Sequence, residues 1–422
     1  MANLYLVVCR AGDSSLHREW IRDKEFKNFD LLIDYYGDEE GKYREDADFY
    51  FQHKSYKWPV MYRLIRDHPQ LFEHYRAVWF PDDDLLADTR TIHDMFELFS
   101  SCRLMLAQPA LTEDSYVSHH VTLQNRYATL RYVDFVEVMA PIFSREALMK
   151  CHATFNLGRT GWGLDFIWPK VLGYPSEGIA VLDATPVKHT RPVGGGEIYS
   201  QGMQTAHNES SRLLQLFQVT RGSIAAYKFV PKESSEPLTA ESVASLVLKG
   251  NRHPRDRRSI LEYYYPTLQN LLDYEQGDHS RIAVADCSLP DYEQLAETLA
   301  IFADLTPDNV QSLTGRILSL TDEEIMQAVE FYDGNQVELL NSIAAGFYYN
   351  EAFDRVLPYL MAAFRLDDKH EDTLYNLGYV LRQFGESRLS LQYLERIANK
   401  SEHVAALTEE VLRDIEAEGA NV

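Results

Sequence analysis

Between residues 1 and about 200, short apolar runs alternate with amphipathic segments, and this alternation limits the folds open to the chain more than any other feature. Leu4–Val8 (LYLVV), Asp30–Ile33 (DLLI), Ala77–Phe80 (AVWF), Leu104–Ala107 (LMLA) and Ile179–Leu182 (IAVL) are each bounded by Gly, Pro, Asp or Ser. Runs of that length and make-up read as buried strands. Helical spacing falls between them, in Pro59–Asp67 (PVMYRLIRD) and Thr91–Phe99 (TIHDMFELF). Strands alternating with helices predict an α/β domain with a largely parallel sheet over residues 1–200.

From about Gln201 the texture changes. A stretch containing KESSEPLTAES and KGNRHPRDRRS is rich in Pro, Ser and mixed charge and reads as a connecting segment, 201–258, around a short helix or two. Beyond it, over 259–422, Leu, Tyr and Phe recur at helical spacing nearly throughout. At an offset of 34, Ile343 meets Leu377, Ala344 meets Gly378, Phe347 meets Leu381, Leu360 meets Leu394 and Ala363 meets Ile397. Large and small apolar positions repeating this way resemble tetratricopeptide hairpins, although a plain helical bundle fits nearly as well. Such an array suggests a surface for a protein partner or a second copy of the chain.

Composition excludes some functions. Among 422 residues, 64 acidic and 41 basic side chains give a net charge of −23. A sequence-independent nucleic-acid binder needs a basic surface to displace counterions, so no nucleic acid is expected as partner. Docking on anionic lipid is disfavoured on the same ground. No stretch approaches the ~20 apolar residues of a membrane span, and the N-terminal residues lack a signal-peptide pattern. Four dispersed cysteines (Cys9, Cys102, Cys151, Cys287) form no CxxC pair. The expectation is a soluble, cytoplasmic protein with reduced thiols.

Three constellations in the first 200 residues carry chemistry. Asp82, Asp83 and Asp84 follow the wholly apolar run Ala77–Phe80, at the carboxyl end of a strand, where α/β sheets bind ligands. Hard carboxylate oxygens suit Mn²⁺ or Mg²⁺, and in a D-x-D arrangement Asp82 and Asp84 converge on one ion and a sugar-nucleotide diphosphate. A solvated turn or a helix cap is the plainer role for such aspartates. The second constellation is RTGWGLDFIW (Arg159–Trp168), in which Gly161 and Gly163 let the backbone turn tightly around Trp162. Asp165, set among apolar groups, has the environment of a general base with a raised pKa; an ordinary N-cap is its alternative role. Third, His189 lies in VLDATPVKHTRPVGGG with Lys188 and Arg191 beside it, and its imidazole can complete an Asp/Asp/His metal shell, although a solitary His is more often an ordinary surface or core residue. The loop after the first strand, with Arg10, Ala11 and Gly12, has room for a nucleotide but is neither GxGxxG nor a P-loop. Asp34 is a candidate base or ribose contact. Lys57 is a candidate phosphate contact, although an exposed lysine opening a helix is the commoner case.

These motifs, in order, resemble a known family. AVWFPDDDL, AQPAL (Ala107–Leu111), YVDFVEVMAPIFSREAL (Tyr132–Leu148), GWGLDF (Gly161–Phe166) and VLD (Val181–Asp183) followed by His189 look like the group named domain of unknown function 707. That group is regarded as related to GT-A glycosyltransferases, and the resemblance covers roughly residues 3–195. The order D-x-D, Gly-Trp-Gly-x-acid and late His is also similar to inverting galactosyltransferases of the GT-A type. The resemblance implies a GT-A-like, Rossmann-like nucleotide-sugar-binding domain followed by an all-α, tetratricopeptide-like domain. Asp82, Asp84 and His189 then hold the metal and Asp165 deprotonates the acceptor hydroxyl. Arg10, Ala11, Gly12, Asp34, Lys57 and Asp83 fall to the nucleotide sugar, and Trp162, Gly163 and Glu137 to a glycan or protein acceptor. Unlike those relatives, this chain has Phe166 and no second acid after Asp165. Arg126, Arg131 and Arg191 are further candidates for phosphate. A UDP-sugar donor is the default, and surface-glycan synthesis or protein glycosylation the expected setting. Two alternatives stay open: a nucleotidyltransferase, and a binding or scaffold protein without catalysis.

Overall fold

A computed structural model describes residues 3–192, 203–221, 224, 226–232, 288–306 and 308–420. The chain divides into two compact units, Met1–Tyr292 and Glu293–Val422.

The first unit is built on strands β1 (Tyr5–Ala11), β2 (Phe29–Tyr35), β3 (Phe49–Gln52), β4 (Ala77–Trp79), β5 (Leu85–Leu86), β6 (Leu106–Leu111), β7 (Ala128–Val133), β8 (Ile142–Ser144), β9 (Ile179–His189) and β10 (Ala226–Pro231). Their order is β10-β7-β9-β6-β8-β4-β1-β2-β3, with β5 paired to the end of β9. The β3-β2-β1-β4 part is parallel and Rossmann-like. β8 runs antiparallel between β4 and β6, and β7 antiparallel between β9 and β10. The sheet is therefore mixed. All five apolar runs form strands at its centre, buried on both faces as continuous apolar runs require.

Two packed layers fix the site. On one face, Trp20 packs on Trp79 at 5.5 Å between ring centroids. Elsewhere Trp58, Phe80, Phe143, Phe155 and Trp168 form an edge-to-face cluster that joins the helix Lys57–Asp67 to the helix Leu164–Val171. Truncating a fully buried ring of this kind costs about 3–5 kcal/mol. The helix Thr89–Ser101 is capped by Asp88, whose carboxylate accepts from Thr91 N at 2.7 Å. The cap of that helix is thus none of the three consecutive aspartates.

One expectation is corrected here. The helix Met203–Leu216 and strand β10 belong to the first unit, so 201–258 is not merely a connector. Pairing with β7 supplies the order that a Pro- and Ser-rich composition hides. Residues 233–287, which hold the rest of that segment and the expected start of the helical part, lie outside the described residues.

The second unit is helical. Its helices Gln336–Tyr349 and Phe353–Leu366 form one hairpin, and Glu371–Gln383 and Ser387–Glu395 the next. Gly378 faces Leu394 so closely that a Cβ would meet it at 2.6 Å, which explains the small residue there. Between the hairpins, Asn341 Nδ2 donates to Thr373 Oγ1 (2.7 Å) and Asn376 Nδ2 to Asn341 Oδ1 (2.9 Å).

Candidate active site

The strand following β1 in sequence lies on one side of it and β4 lies on the other, so a crevice opens at the carboxyl ends of β1 and β4. The acidic turn sits there, bridged by backbone pairing of Arg10 with Asp82. Asp83 is turned onto the first loop: its carboxylate accepts from Gly12 N at 2.7 Å and faces Arg191 Nη1 at 3.3 Å. Burial raises its pKa to about 6 in spite of those donors. A Cβ on Gly12 would lie 2.2 Å from the Tyr36 hydroxyl, so a side chain there would displace Tyr36 from the loop.

Asp84 and His189 meet through the β5–β9 pairing, which sets Leu85 opposite His189. His189 Nδ1 donates to Tyr116 O at 2.9 Å, which turns Nε2 toward Asp84 Oδ2, 3.4 Å away. A backbone carbonyl on one imidazole nitrogen is how proteins orient the other toward a metal. Burial opposes protonation of His189, but Asp84 outweighs it and the pKa lies above the usual value. Asp84 Oδ1 is buried and has no hydrogen-bond partner. An orphaned carboxylate oxygen beside an oriented imidazole fits a hard divalent ion. Asp82 fits less directly. Its side chain is 43% exposed in the crevice, and Oδ1 accepts from Lys57 Nζ at 2.7 Å. Crowding by the protein raises its pKa against the pull of Lys57. Among the described residues, no three His, Cys, Asp or Glu side chains converge as a preformed metal cage.

The Gly-Trp-Gly loop carries the second group of candidates. Gly161 and Gly163 have φ of 80° and 103°, conformations that side chains disfavour. A Cβ on Gly161 would also strike Trp58 at 2.2 Å. Trp162 is half-buried, edge-on to exposed His207 with centroids 5.1 Å apart. Gly163, not Asp165, occupies the N-cap of the helix Leu164–Val171. Asp165 is buried in its first turn, and burial, with the Glu137 charge adding to it, raises its pKa to about 7. Glu137 lies in the connection between β7 and β8, not on a solvent-facing strand. It too is buried, its pKa is raised to about 7, chiefly by burial, and Asp82 and His189 both act on it. Glu137 Oε2 has no hydrogen-bond partner. Electrostatic coupling thus runs from Asp84 and His189 through Asp82 and Glu137 to Asp165.

Several candidates serve the fold instead. Arg10 is buried against Asp34 and the carbonyls of His53 and Ser55. Asp34 is fully buried and also bonds His53 Nδ1 at 2.8 Å, so neither is presented to a ligand. Ala11 is a buried strand residue. Lys57 is not exposed at a helix start: it donates to Phe80 O, Asp82 Oδ1 and Val138 O, which uses all three of its protons. Its work is to hold the acidic turn, not a phosphate. Arg131 is fully buried in a bidentate pair with Asp183, and Arg126 pairs with Glu113 at the surface. Arg191 alone among the three arginines reaches the acidic turn.

Two groups around this loop escape reading from the sequence. Arg221 lies over the Phe166 ring and acts on Asp165 by charge. Glu209 binds the loop before Trp162. Both come from the segment read as a connector, and only the tertiary fold brings them here.

No protein-family model and no curated protein matches the chain. Solved structures match loosely. GalNAc-T7 with UDP, GalNAc and Mn²⁺ is 12% identical, with 51% of this chain and 48% of that one covered and a TM-score of 0.37. The chain therefore spans about half the length of that protein. S. aureus TarS 1-349 is 10% identical, with 83% and 92% covered and a TM-score of 0.36. Its complex with UDP-GlcNAc is 9% identical, with 100% and 92% covered and a TM-score of 0.32. Likenesses at this level carry no argument about activity, which rests on the residues themselves.

Proposed function

We propose that the chain is a metal-dependent, inverting glycosyltransferase of the GT-A type. It moves a sugar from a nucleotide-sugar donor, a UDP-sugar in the first instance, to a hydroxyl of a glycan or protein acceptor. One observation carries the reading: two buried carboxyls with near-neutral pKa, Asp165 and Glu137, act on one another by charge, and Glu137 also feels His189, the partner of Asp84 at the switch point of the sheet. The order of motifs, which resembles that of domain of unknown function 707, supports it from the sequence side.

Asp84, His189 and Asp82 are the residues to hold Mn²⁺ or Mg²⁺, whose charge offsets that developing on a leaving diphosphate. Gly12, Asp83 and Arg191 border the donor. Asp165 takes the acceptor proton; a pKa near 7 lets it be ionised at working pH and still bind a proton firmly. Glu137, whose Oε2 has no hydrogen-bond partner, borders the acceptor. Trp162 walls the acceptor side. Inversion follows if the acceptor oxygen attacks the sugar face opposite the diphosphate. The paired hairpins of the second unit, whose helices restart after 35 residues (Gln336 to Glu371) and 34 (Phe353 to Ser387), are tetratricopeptide-like and offer a surface for a protein partner or a second copy. The reaction belongs in the cytoplasm, in surface-glycan synthesis or protein glycosylation. Among the described residues no helix is long and apolar enough to cross a membrane.

The test is nucleotide release from a panel of UDP- and GDP-sugars, with and without Mn²⁺, analysed by NMR for the anomer formed. Release from one donor with inversion supports the proposal. Pyrophosphate release from a nucleoside triphosphate would make the protein a nucleotidyltransferase, and nucleotide binding without turnover would make it a binding protein.

A further inference from the structure

The Gly-Trp-Gly loop is held by a single carboxylate that neither the fold class nor the proposed reaction calls for. Glu209, 3% exposed on the helix Met203–Leu216, accepts hydrogen bonds from Arg159 N (2.9 Å), Thr160 N (3.0 Å), Thr160 Oγ1 (2.7 Å) and Gly161 N (2.9 Å). Thr160 Oγ1 in turn accepts from Trp162 N at 3.2 Å. Consecutive backbone amides aimed at one anion form a nest, and each bond is strengthened by the charge. The fit is close, since a Cβ on Gly158 would lie 2.5 Å from the Glu209 carboxyl carbon. The next residue on the helix, Ser210, receives Arg221 Nη2 at 2.6 Å, and Arg221 acts on Asp165 by charge.

A loop whose two glycines have positive φ has many backbone conformations open to it, so something outside the loop must select one. We infer that Glu209 is a positioning residue, which fixes Arg159–Trp162 and thereby sets Trp162 and Asp165 against the acceptor. Its consequence for catalysis rests on the proposed sugar transfer; its hold on the loop does not.

Acrylamide quenching reads the loop directly. Of the five tryptophans, Trp20, Trp58, Trp79 and Trp168 are at most 1% exposed, and Trp162 is half-buried. In Glu209→Gln, an amide N–H₂ faces donors that need an acceptor, so the loop is released. The expected result is at least a twofold rise in Trp162 quenching and about a 100-fold fall in kcat/KM for the acceptor, the scale of an ångström misplacement. UDP affinity stays within twofold, a split that a general loss of structure would not give. Thr160→Ala, which cuts only the hydroxyl relay to Trp162, moves both readouts the same way by a smaller factor, about tenfold in kcat/KM, and replaces Glu209→Gln if that variant does not fold. Quenching and acceptor kinetics within twofold of wild type in the folded variants would overturn the inference. If the wild type transfers no sugar, the proposed function fails and quenching alone decides the role of Glu209: a rise upholds it, no change overturns it.

Discussion

Replacing Asp165 by Asn removes a carboxyl that the fold keeps protonated up to about pH 7, and the effect on stability has a definite sign and pH window. Below about pH 4 the group is protonated whether the chain is folded or not. Between there and pH 7 the unfolded chain releases the proton while the folded protein keeps it, so the fold loses stability as pH rises. Moving a carboxyl from 3.8 to about 7 corresponds to roughly 4 kcal/mol, at about 1.4 kcal/mol per tenfold change in proton affinity. Water entry and relaxation on ionisation reduce the realised value, so the difference expected is about 2–4 kcal/mol. For a unit of this size that is roughly 4–12 °C in Tm. Asparagine carries no such penalty. Melting curves of the full-length protein should therefore lie closest for wild type and Asp165→Asn at about pH 4, diverge progressively up to about pH 7, and leave the variant melting higher at pH 8. Tm-against-pH curves that stay parallel for the two proteins would refute the buried, proton-holding carboxyl and with it the basis for Asp165 as base.

Other perturbations test neighbouring parts of the site. Glu137→Gln removes one of the charges that raise the Asp165 pKa, so the acid limb of the pH–rate profile should move to lower pH; a shift upward would contradict the coupling. Lys57→Met leaves Asp82 Oδ1 and the carbonyls of Phe80 and Val138 without their shared donor, so isothermal titration should show Mn²⁺ binding about tenfold weaker, the scale of one lost hydrogen bond to a buried group; tighter binding would mean that Lys57 opposes the ion by charge and does not hold the turn. Gly163→Ala meets φ of 103° and the Ser210 backbone at 3.1 Å. A loss of about 1–3 kcal/mol in stability is expected, and Gly161→Ala should lose more because Trp58 blocks it; an unchanged melting curve for both would show that the loop is not tightly turned.

The parts of this molecule legible in the sequence are those fixed by local chemistry. Strands β1, β2, β4, β6 and β9 announce themselves because burial on both faces demands unbroken apolar runs. Strand β7 hides because it carries Arg131, whose partner Asp183 is 52 residues away, and β3, β5 and β8 are too short for a pattern. The acidic turn is legible because it follows a buried strand, and the glycines around Trp162 because few other residues accept positive φ. What those aspartates touch was not legible. Lys57 on Asp82, Gly12 on Asp83 and His189 on Asp84 arise from three elements that meet only in the fold. Arg10 and Asp34 lie at strand ends where ligand contacts are expected, yet they bury one another. Glu209 is beyond sequence reading, since its partners are backbone amides some 50 residues away, which no side-chain pattern records.

The central claim is that one side of the crevice binds the metal and nucleotide while the other takes the acceptor proton. The most direct measurement is UDP affinity in the presence of Mn²⁺ alongside acceptor-dependent transfer, in wild type, Asp84→Ala and Asp165→Asn. Asp84→Ala should lose Mn²⁺-dependent UDP binding and transfer together, whereas Asp165→Asn should bind Mn²⁺ and UDP as wild type does and lose transfer by about 100-fold or more. Undiminished transfer in Asp165→Asn, or UDP binding indifferent to both Mn²⁺ and Asp84, would contradict it.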